Sequence, residues 1–321
     1  MIVRSSPRAT GLLLGGVLDA VLADPRRAHP VAAFGAAAAR AESWLWSDSR
    51  TRGAGLVAAC VTPVAVAGLT AQRLTRGHRA ATVAATALAT WTVLGGASLG
   101  GVAVALGRDL EAGDLDAARR RLPALCGRDP AQLDADGLAR AAVESVAENT
   151  SDAVVAPLLW GAAFGLPGLL GYRAVNTLDA MIGHHSPRYE RFGWAAARLD
   201  DAANLIPARV TGLLAAALAP AVGGRPRQAL RTLRRDGGQH PSPNAGRCEA
   251  AFAGALGVRL GGRNSYQGRN EQRGLLGDGK PPAAPDIARA VRLSRLVSGA
   301  ALLIAAAIAH GVHGAFGRRK T

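Results

Sequence analysis

Three long apolar stretches constrain the fold of this chain more than any other feature. They cover residues 54–71, 80–106 and 296–316, and each approaches or exceeds the roughly 20 mainly apolar residues that an α-helix needs to cross a bilayer. Within lipid every backbone polar group needs a partner, and a helix supplies one internally. The sequence therefore predicts an all-α, polytopic integral membrane protein: a single domain over residues 1–321, built as a helical bundle with long polar loops that carry the site.

Three further apolar stretches are short or interrupted. Asp19 lies in the first, Gly165 in the second and Pro207 in the third. The polar segments between the apolar stretches all carry residues suited to chemistry, and residues that meet in one site must lie on one side of the membrane. We therefore expect broken or re-entrant helices at 10–23, 153–171 and 203–222.

The segment between the later apolar stretches has a different composition. Residues 223–279 are rich in Gly, Pro, Asn and Arg, which is typical of turns and ligand-binding loops. The sequence predicts a long loop region there.

The net charge of +15 comes almost entirely from Arg, since Lys occurs only at Lys280 and Lys320. Basic charge can attract nucleic acid, anionic lipid or anionic substrates, but the chain carries no nucleic-acid-binding motif. Basic loops beside apolar spans are typical of cytoplasmic segments. We expect a multi-pass protein of the inner membrane, with the lipid bilayer as partner, no nucleic acid, and the active site on the cytoplasmic side.

An acidic row precedes the stretch at 153–171. Glu144 and Glu148 are one helical turn apart, and Asp152 continues the row. Hard oxygen ligands of this kind suit Mg²⁺, with phosphates completing the coordination shell. The alternative is a solvated helix end paired to Arg140 or Arg173, and spacing alone does not decide between the two.

Two more motifs place charge beside amides. Arg173, Asn176 and Asp179 share a helical face, and the Arg fork suits phosphate or carboxylate. Asp200 and Asn204 lie four residues apart, and Arg198 and Asp201 three apart. These acids form either a second cluster for Mg²⁺ or intrahelical ion pairs.

Taken together, these segments resemble the CobD/CbiB family of cobalamin biosynthesis proteins. The resemblance covers most of residues 10–310. The matching stretches are DPRRAHPVAAFG (24–35), ESVAENTSDAVVAPLLW (144–160), YRAVNTLDAMIGH (172–184), RYERFGWAAARLDDAANLIPAR (188–209), SPNAG (242–246) and GALGVRLGGRNSY (254–266). The sequence departs from the family pattern at Arg247-Cys248 and at the doubled His184-His185.

The resemblance implies an ADP-forming acid–amine ligase of the adenosylcobinamide-phosphate synthase type. Such an enzyme joins a carboxylate of adenosylcobyric acid to (R)-1-amino-2-propanol or its O-phosphate, using ATP and Mg²⁺. Other late enzymes of the cobalamin pathway are expected partners. The alternatives are a membrane transporter and a non-catalytic, AmpE-like membrane scaffold or sensor.

Site roles follow from the resemblance as expectations. Glu148, Asp152 and Asp201 are expected to hold Mg²⁺, with Glu144 or Asp200 supporting them or acting as base for the amine; these five form the predicted catalytic set. The residues expected to bind ATP, the corrinoid or the amine are Asp24, Arg26, His29, Asn149, Arg173, Asn176, Asp179, Arg198, Asn204, Arg209, Ser242, Asn244, Asn264 and Tyr266.

Overall fold

A computed structural model describes residues 6–25, 29–266 and 269–317. Helices dominate this part of the chain. The α-helices are α1 Pro7–Leu22, α2 Pro30–Leu45, α3 Arg50–Leu74, α4 Arg79–Val93, α5 Gly96–Glu111, α6 Leu115–Arg121, α7 Ala135–Thr150, α8 Ala156–Phe164, α9 Leu166–Leu178, α10 Trp194–Leu218, α11 Pro226–Asp236, α12 Ala245–Leu256 and α13 Ala284–Gly317. A two-stranded antiparallel hairpin is formed by β1 Leu260–Tyr266 and β2 Arg269–Leu276.

Four helical segments among the described residues are long and apolar enough to cross a membrane. They are Arg50–Leu74, Arg79–Glu111, Trp194–Val222 and Ala284–Val312. The prediction of an all-α, polytopic membrane protein is confirmed. The predicted spans 54–71 and 80–106 lie inside the first two segments, and 296–316 overlaps the fourth. Residues 203–222, predicted to be broken or re-entrant, lie in the third, where α10 continues through Pro207.

The interpretation of residues 223–279 as a loop region is wrong. This segment forms α11, α12 and the β1–β2 hairpin. In α12, Gly, Ala and Cys predominate, and every residue of the helix except Arg247 is buried. Packing of this helix against its neighbours outweighs the poor helix propensity of its glycines.

The chain divides into two compact units. Unit 1 consists of residues 1–95, 156–204 and 302–321, and unit 2 of residues 96–155 and 205–301. In unit 1, α1 packs on α4, and α9 packs on α3 and α8. In unit 2, α12 packs on α7 and α11, and α5 packs on α6 and α7.

Two π-helical turns interrupt the helical path next to predicted site residues. Ser151–Val155 follows α7 and contains Asp152, while Asp179–Gly183 follows α9 and begins at Asp179. Such turns shift the helical register and often occur at functional sites. The acidic row that begins at Glu144 therefore does not continue as a regular α-helix through Asp152.

Glycines allow the close approach of α1 and α4. A Cβ on Gly11 would lie 2.9 Å from the carbonyl oxygen of Val83, and one on Gly15 would lie 2.6 Å from that of Ala87. Small residues four apart are a common contact surface between membrane helices, because they let two backbones come together.

Replacing Gly15 with Leu should therefore push α1 away from α4. We expect a loss of about 1–3 kcal/mol of stability, the usual cost of overpacking, seen as a lower thermal midpoint in detergent. Gly55→Leu is the matched control, because nothing lies within 4 Å of a Cβ at Gly55 in α3. Equal midpoints for the two variants would contradict this packing.

Candidate functional site

Glu144 is the centre of a buried polar cluster in unit 2. Its Oε2 atom accepts a hydrogen bond from Arg128, and both side chains are almost fully buried. Its Oε1 atom accepts from the backbone N–H of Gly261, at 2.7 Å. The alternative of a solvated helix end paired to Arg140 or Arg173 does not hold for Glu144, which is buried and pairs with Arg128.

The two glycines of β1 explain why a backbone amide reaches Glu144. Gly261 and Gly262 have φ values of 79° and 87°, and the register of the hairpin shifts between Leu260 and Gly262. Any side chain at Gly261 would collide with the carbonyl oxygen of Gly274. The positive φ values of the two glycines give the backbone the path that directs the Gly261 N–H onto the carboxylate.

Glu249 in α12 is a second buried acid in this cluster, beside His240. Glu249 Oε1 lies 3.8 Å from His240 Nε2, which lies 2.9 Å from Arg273 Nη1. Burial raises the pKa of Glu249 well above its usual value, and the charges of Glu144 and Glu148 raise it further, while Arg273 and Arg128 lower it. This carboxyl therefore favours its protonated form.

His240 is held in the neutral form. Its Nδ1 atom accepts from the backbone N–H of Ser242, at 3.0 Å. Burial, and then the charge of Arg273, lower the pKa of His240 from 6.5 to about 4. A proton added to the ring would put a second positive charge next to Arg273.

Asp152 and Glu148 face α12 from the end of α7. Burial raises the pKa of the Cys248 thiol, and the charges of Asp152 and then Glu148 raise it further. Both carboxylates are half-buried. They offer two oxygen-donor side chains next to the Glu249 cluster.

The chemistry of this donor set fits Mg²⁺ bound together with phosphates. Mg²⁺ is commonly held by one or two carboxylates plus substrate oxygens, rather than by a complete protein cage. Among the described residues, no group of three or more His, Cys, Asp or Glu side chains is arranged to hold a metal ion alone. Asp201, the third predicted ligand, belongs to unit 1.

Unit 1 contains a polar network between α9 and α10. Asn176 Nδ2 donates to Asp200 Oδ1 at 3.2 Å, and Asn204 Nδ2 donates to Asp200 Oδ2 at 2.9 Å. Arg173 Nη1 lies 3.5 Å from Asn176 Oδ1, and Tyr172 donates to Asn204 Oδ1 at 2.9 Å. The structure thus brings together four of the predicted residues, and Tyr172 joins them.

An apolar cavity of about 210 Å³ lies beside this network. Its walls come from α2, α3, α4 and α9, and Arg173 is the one charged residue among those that line it. The Thr92 and Thr177 hydroxyls in its wall donate to the helix carbonyls of Ala89 and Arg173. The cavity therefore presents apolar surface and a guanidinium.

Several predicted binding residues stabilise local structure. His29 caps α2 by accepting from the Val31 N–H, and Ser242 accepts from the N–H groups of Asn244 and Ala245 at the start of α12. Asn149 donates back to the Ser145 carbonyl. The contacts of His29 and Ser242 account for these residue types as a helix cap and a turn residue.

Two predicted pairs are partly engaged with each other. Arg209 Nη1 lies 3.4 Å from Asn244 Oδ1 in unit 2, and Arg198 lies 3.7 Å from Asp201 in unit 1. The second is the intrahelical ion pair that the spacing allowed. Arg198 is exposed, so this pair contributes little to stability.

The remaining predicted residues are Asp24, Asp179, Arg26, Asn264 and Tyr266. Asp24 follows Ala23, whose φ of 55° is unusual for a residue with a side chain, and Asp179 opens the second π-turn. Arg26 lies outside the described residues. Asn264 and Tyr266 lie in β1, and their side chains are outside the described part.

The sequence interpretation missed Arg128, Glu249 and Arg273. Arg128 lies 16 residues before Glu144 and Arg273 lies in β2, and neither spacing indicates the contact that the fold makes. Glu249 could have been found from its place in the Ala-rich sequence Ala245–Leu256, where the one acid lies among mostly small, apolar residues and so marks a buried charge.

Comparison with known proteins identifies the family. The family model for CobD/Cbib proteins matches residues 12–294. The chain belongs to the CobD/CbiB family. Among curated relatives, the cobalamin biosynthesis protein CobD of Mycobacterium tuberculosis is 56% identical over 298 residues, covering 93% of this chain and 95% of the relative.

More distant relatives carry the same description. The CobD proteins of Rhodobacter capsulatus and Geobacter metallireducens are each 44% identical, covering 87% and 91% of this chain and 89% and 93% of their own lengths. No solved structure matches. The resemblance to the CobD/CbiB family is therefore confirmed.

Replacing Glu144 and replacing Glu249 with Gln should lower the stability of the protein by different amounts. Glu144→Gln leaves Arg128 buried without its counter-charge, and we expect a loss of about 3–5 kcal/mol of stability. Glu249→Gln replaces a carboxyl that favours its neutral form, so the expected change at neutral pH is below about 1 kcal/mol. Thermal unfolding in detergent measures both, and equal losses would contradict the assigned charge states.

The stability of the protein should fall in mild acid through His240. The pKa of His240 is 6.5 when unfolded and about 4 when folded, so its contribution is lost as pH falls from 6.5 towards 4, by up to about 3 kcal/mol. His240→Gln should flatten that part of the curve of thermal midpoint against pH. An unchanged curve would show that His240 is not held neutral.

Proposed function

We propose that this protein is a cobalamin biosynthesis enzyme that joins a carboxylate of adenosylcobyric acid to (R)-1-amino-2-propanol or its O-phosphate in an ATP-dependent amide ligation. The family and the names of the relatives support the pathway. The observation that carries the reaction class is the unit 1 network, in which Asn176 links Arg173 to Asp200 beside an apolar cavity. Arg173 lines this cavity, and the buried Asp200 carboxylate is joined to it through Asn176.

The amine substrate has the complementary groups. An aminopropanol phosphate carries an ammonium group, a phosphate and a methyl group within a few bonds. In our proposal Asp200 binds the ammonium group and accepts its proton, Arg173 binds the phosphate, and the methyl group faces the cavity. Asn176 and Asn204 hold the Asp200 carboxylate in position through their amide N–H groups.

Amide formation from a carboxylate in water is unfavourable, so the carboxylate must be activated. ATP supplies the phosphoryl group: a carboxylate oxygen forms a bond to the γ-phosphorus as ADP leaves. The neutral amine then attacks the acyl carbon, and phosphate leaves with that carboxylate oxygen. The reaction therefore needs a site that holds anions close together without repulsion.

We assign Glu148 and Asp152 to Mg²⁺, which would neutralise charge on the transferred phosphoryl group. Asp201 belongs to unit 1, and its expected role as a ligand stays a prediction. Arg198 and Arg209 are proposed to bind phosphate or the corrinoid carboxylate. Asn244, Asn264 and Tyr266 are proposed to bind the amide rim of the corrinoid. Binding of the substrates is also proposed, each within its own unit, for Asp24, Arg26, His29, Asn149, Asp179 and Ser242.

The direct test uses purified protein in detergent with adenosylcobyric acid, ATP, Mg²⁺ and either amine, followed by mass spectrometry. We expect a product heavier than adenosylcobyric acid by the condensed amine, formed only with ATP. If folded protein that binds the corrinoid forms no product, the ligase assignment fails. Uptake of corrinoid into vesicles without product formation would indicate a transporter instead.

Arg173→Gln should separate the two amines. If Arg173 binds the phosphate, the KM for aminopropanol phosphate should rise about 10- to 100-fold, the worth of a hydrogen bond to a charged group. The KM for free aminopropanol should stay within about twofold. Arg191→Gln is the matched control, because Arg191 is exposed and pairs with Asp48. Equal increases for both amines would contradict phosphate recognition by Arg173.

A further inference from the structure

Three of the five tryptophans in the chain lie at one end of unit 1. Trp44 and Trp46 are at the end of α2, and Trp194 is the first residue of α10. Their exposed fractions are 89%, 39% and 42%. The other two, Trp91 and Trp160, donate to the backbone carbonyls of Ala23 and Ala203. Exposed indole rings are therefore concentrated in one place.

Arginines accompany these rings. The guanidinium of Arg188 lies 4.6 Å from the centre of the Trp46 ring, and the Trp46 indole N–H donates to the Arg188 carbonyl. The guanidinium of Arg50 lies 5.3 Å from the centre of the Trp194 ring. Each pair combines an apolar ring face with a cation, which suits a boundary between hydrocarbon and charged headgroups.

This end of the unit is also where two of the candidate membrane spans begin. One starts at Arg50 and the other at Trp194. The two starts are close together. Their distance is so short that a Cβ on Gly53, in the first turn of α3, would collide with the carbonyl oxygen of Phe192. Glu42 accepts from both Arg188 and Tyr189 and so ties α2 to the segment before α10.

We propose that Trp44, Trp46 and Trp194, with Arg50 and Arg188, form an interfacial belt that sits among the phospholipid headgroups on one face of the membrane. The spans Arg50–Leu74 and Trp194–Val222 then enter the bilayer from the same face. This proposal concerns lipid contact and direction of insertion, and it does not depend on the proposed reaction.

The length of α3 indicates where the opposite membrane interface lies. Its 25 residues extend about 37 Å at 1.5 Å per residue, which exceeds the roughly 30 Å hydrocarbon core. If its first turn lies at one interface, Arg76 just beyond its end lies at the other. Asp200 comes six residues after Trp194, about 9 Å along the helix, so the Asp200 network lies closer to the belt face.

Cysteine labelling tests the direction of insertion. Ser47→Cys, His185→Cys and Arg76→Cys would each be expressed in cells and treated with a membrane-impermeant maleimide, before and after the membranes are opened. The wild-type chain is the background control, with Cys60, Cys126 and Cys248. Positions 47 and 185 should label from one face, and position 76 from the opposite face.

Depth-dependent quenching tests the belt itself. Wild type and Trp44→Phe would be reconstituted in vesicles of phospholipids brominated near the headgroup or near the chain end. The fluorescence that Trp44→Phe removes should be quenched more by bromine near the headgroup. Labelling overturns the proposal if positions 47 and 185 react from opposite faces, if position 76 reacts from the same face as they do, or if no position reacts even in opened membranes. Quenching overturns it if bromine near the chain end quenches Trp44 more than bromine near the headgroup.

Discussion

The Glu144 carboxylate connects three segments of unit 2 at a buried polar cluster. One of its oxygens binds Arg128, in the segment that precedes α7, and the other binds the Gly261 amide in the hairpin that follows α12. The hairpin, 117 residues further along the chain, therefore meets α7 and the segment before it at one buried charge. A buried ion pair contributes modestly to stability when intact, but removing one partner is costly, so it fixes which segments meet.

This constraint shapes the groups around it. With Glu144 charged and paired, the buried Glu249 lies near a second carboxylate and favours its protonated form. His240 and Arg273 complete the arrangement, with the imidazole neutral beside a guanidinium. Glu148 and Asp152 remain the half-buried acids of this cluster, which is why we assign them to the metal ion.

Much of the fold could be predicted from hydropathy alone, because a bilayer leaves helices as the way to satisfy the backbone of an apolar stretch. The grouping of Arg173, Asn176, Asp200 and Asn204 also follows sequence motifs, since each pair lies three or four residues apart on its own helix. What the motifs could not give is that α9 and α10 are neighbours, which brings Asn176 to Asp200.

The failures have physical reasons as well. Residues 223–279 resemble a loop because Gly and Pro are frequent, yet Pro226 stands in the first turn of α11, where proline is tolerated, and small residues in α12 allow close packing. The acidic row was expected to continue on one helical face to Asp152. It does not, because a π-turn changes the helical register after Thr150. Neither effect has a reliable local signature.

The central claim is that the corrinoid carboxylate is activated by phosphoryl transfer before the amine attacks. The most direct measurement uses adenosylcobyric acid in which both oxygens of the reacting carboxylate are ¹⁸O, with ATP, Mg²⁺ and the amine, followed by mass analysis of the released phosphate and nucleotide. The account predicts one ¹⁸O atom in the phosphate for each amide formed, with ADP as the nucleotide product. Amide formation with unlabelled phosphate, or with the label in AMP, would contradict it.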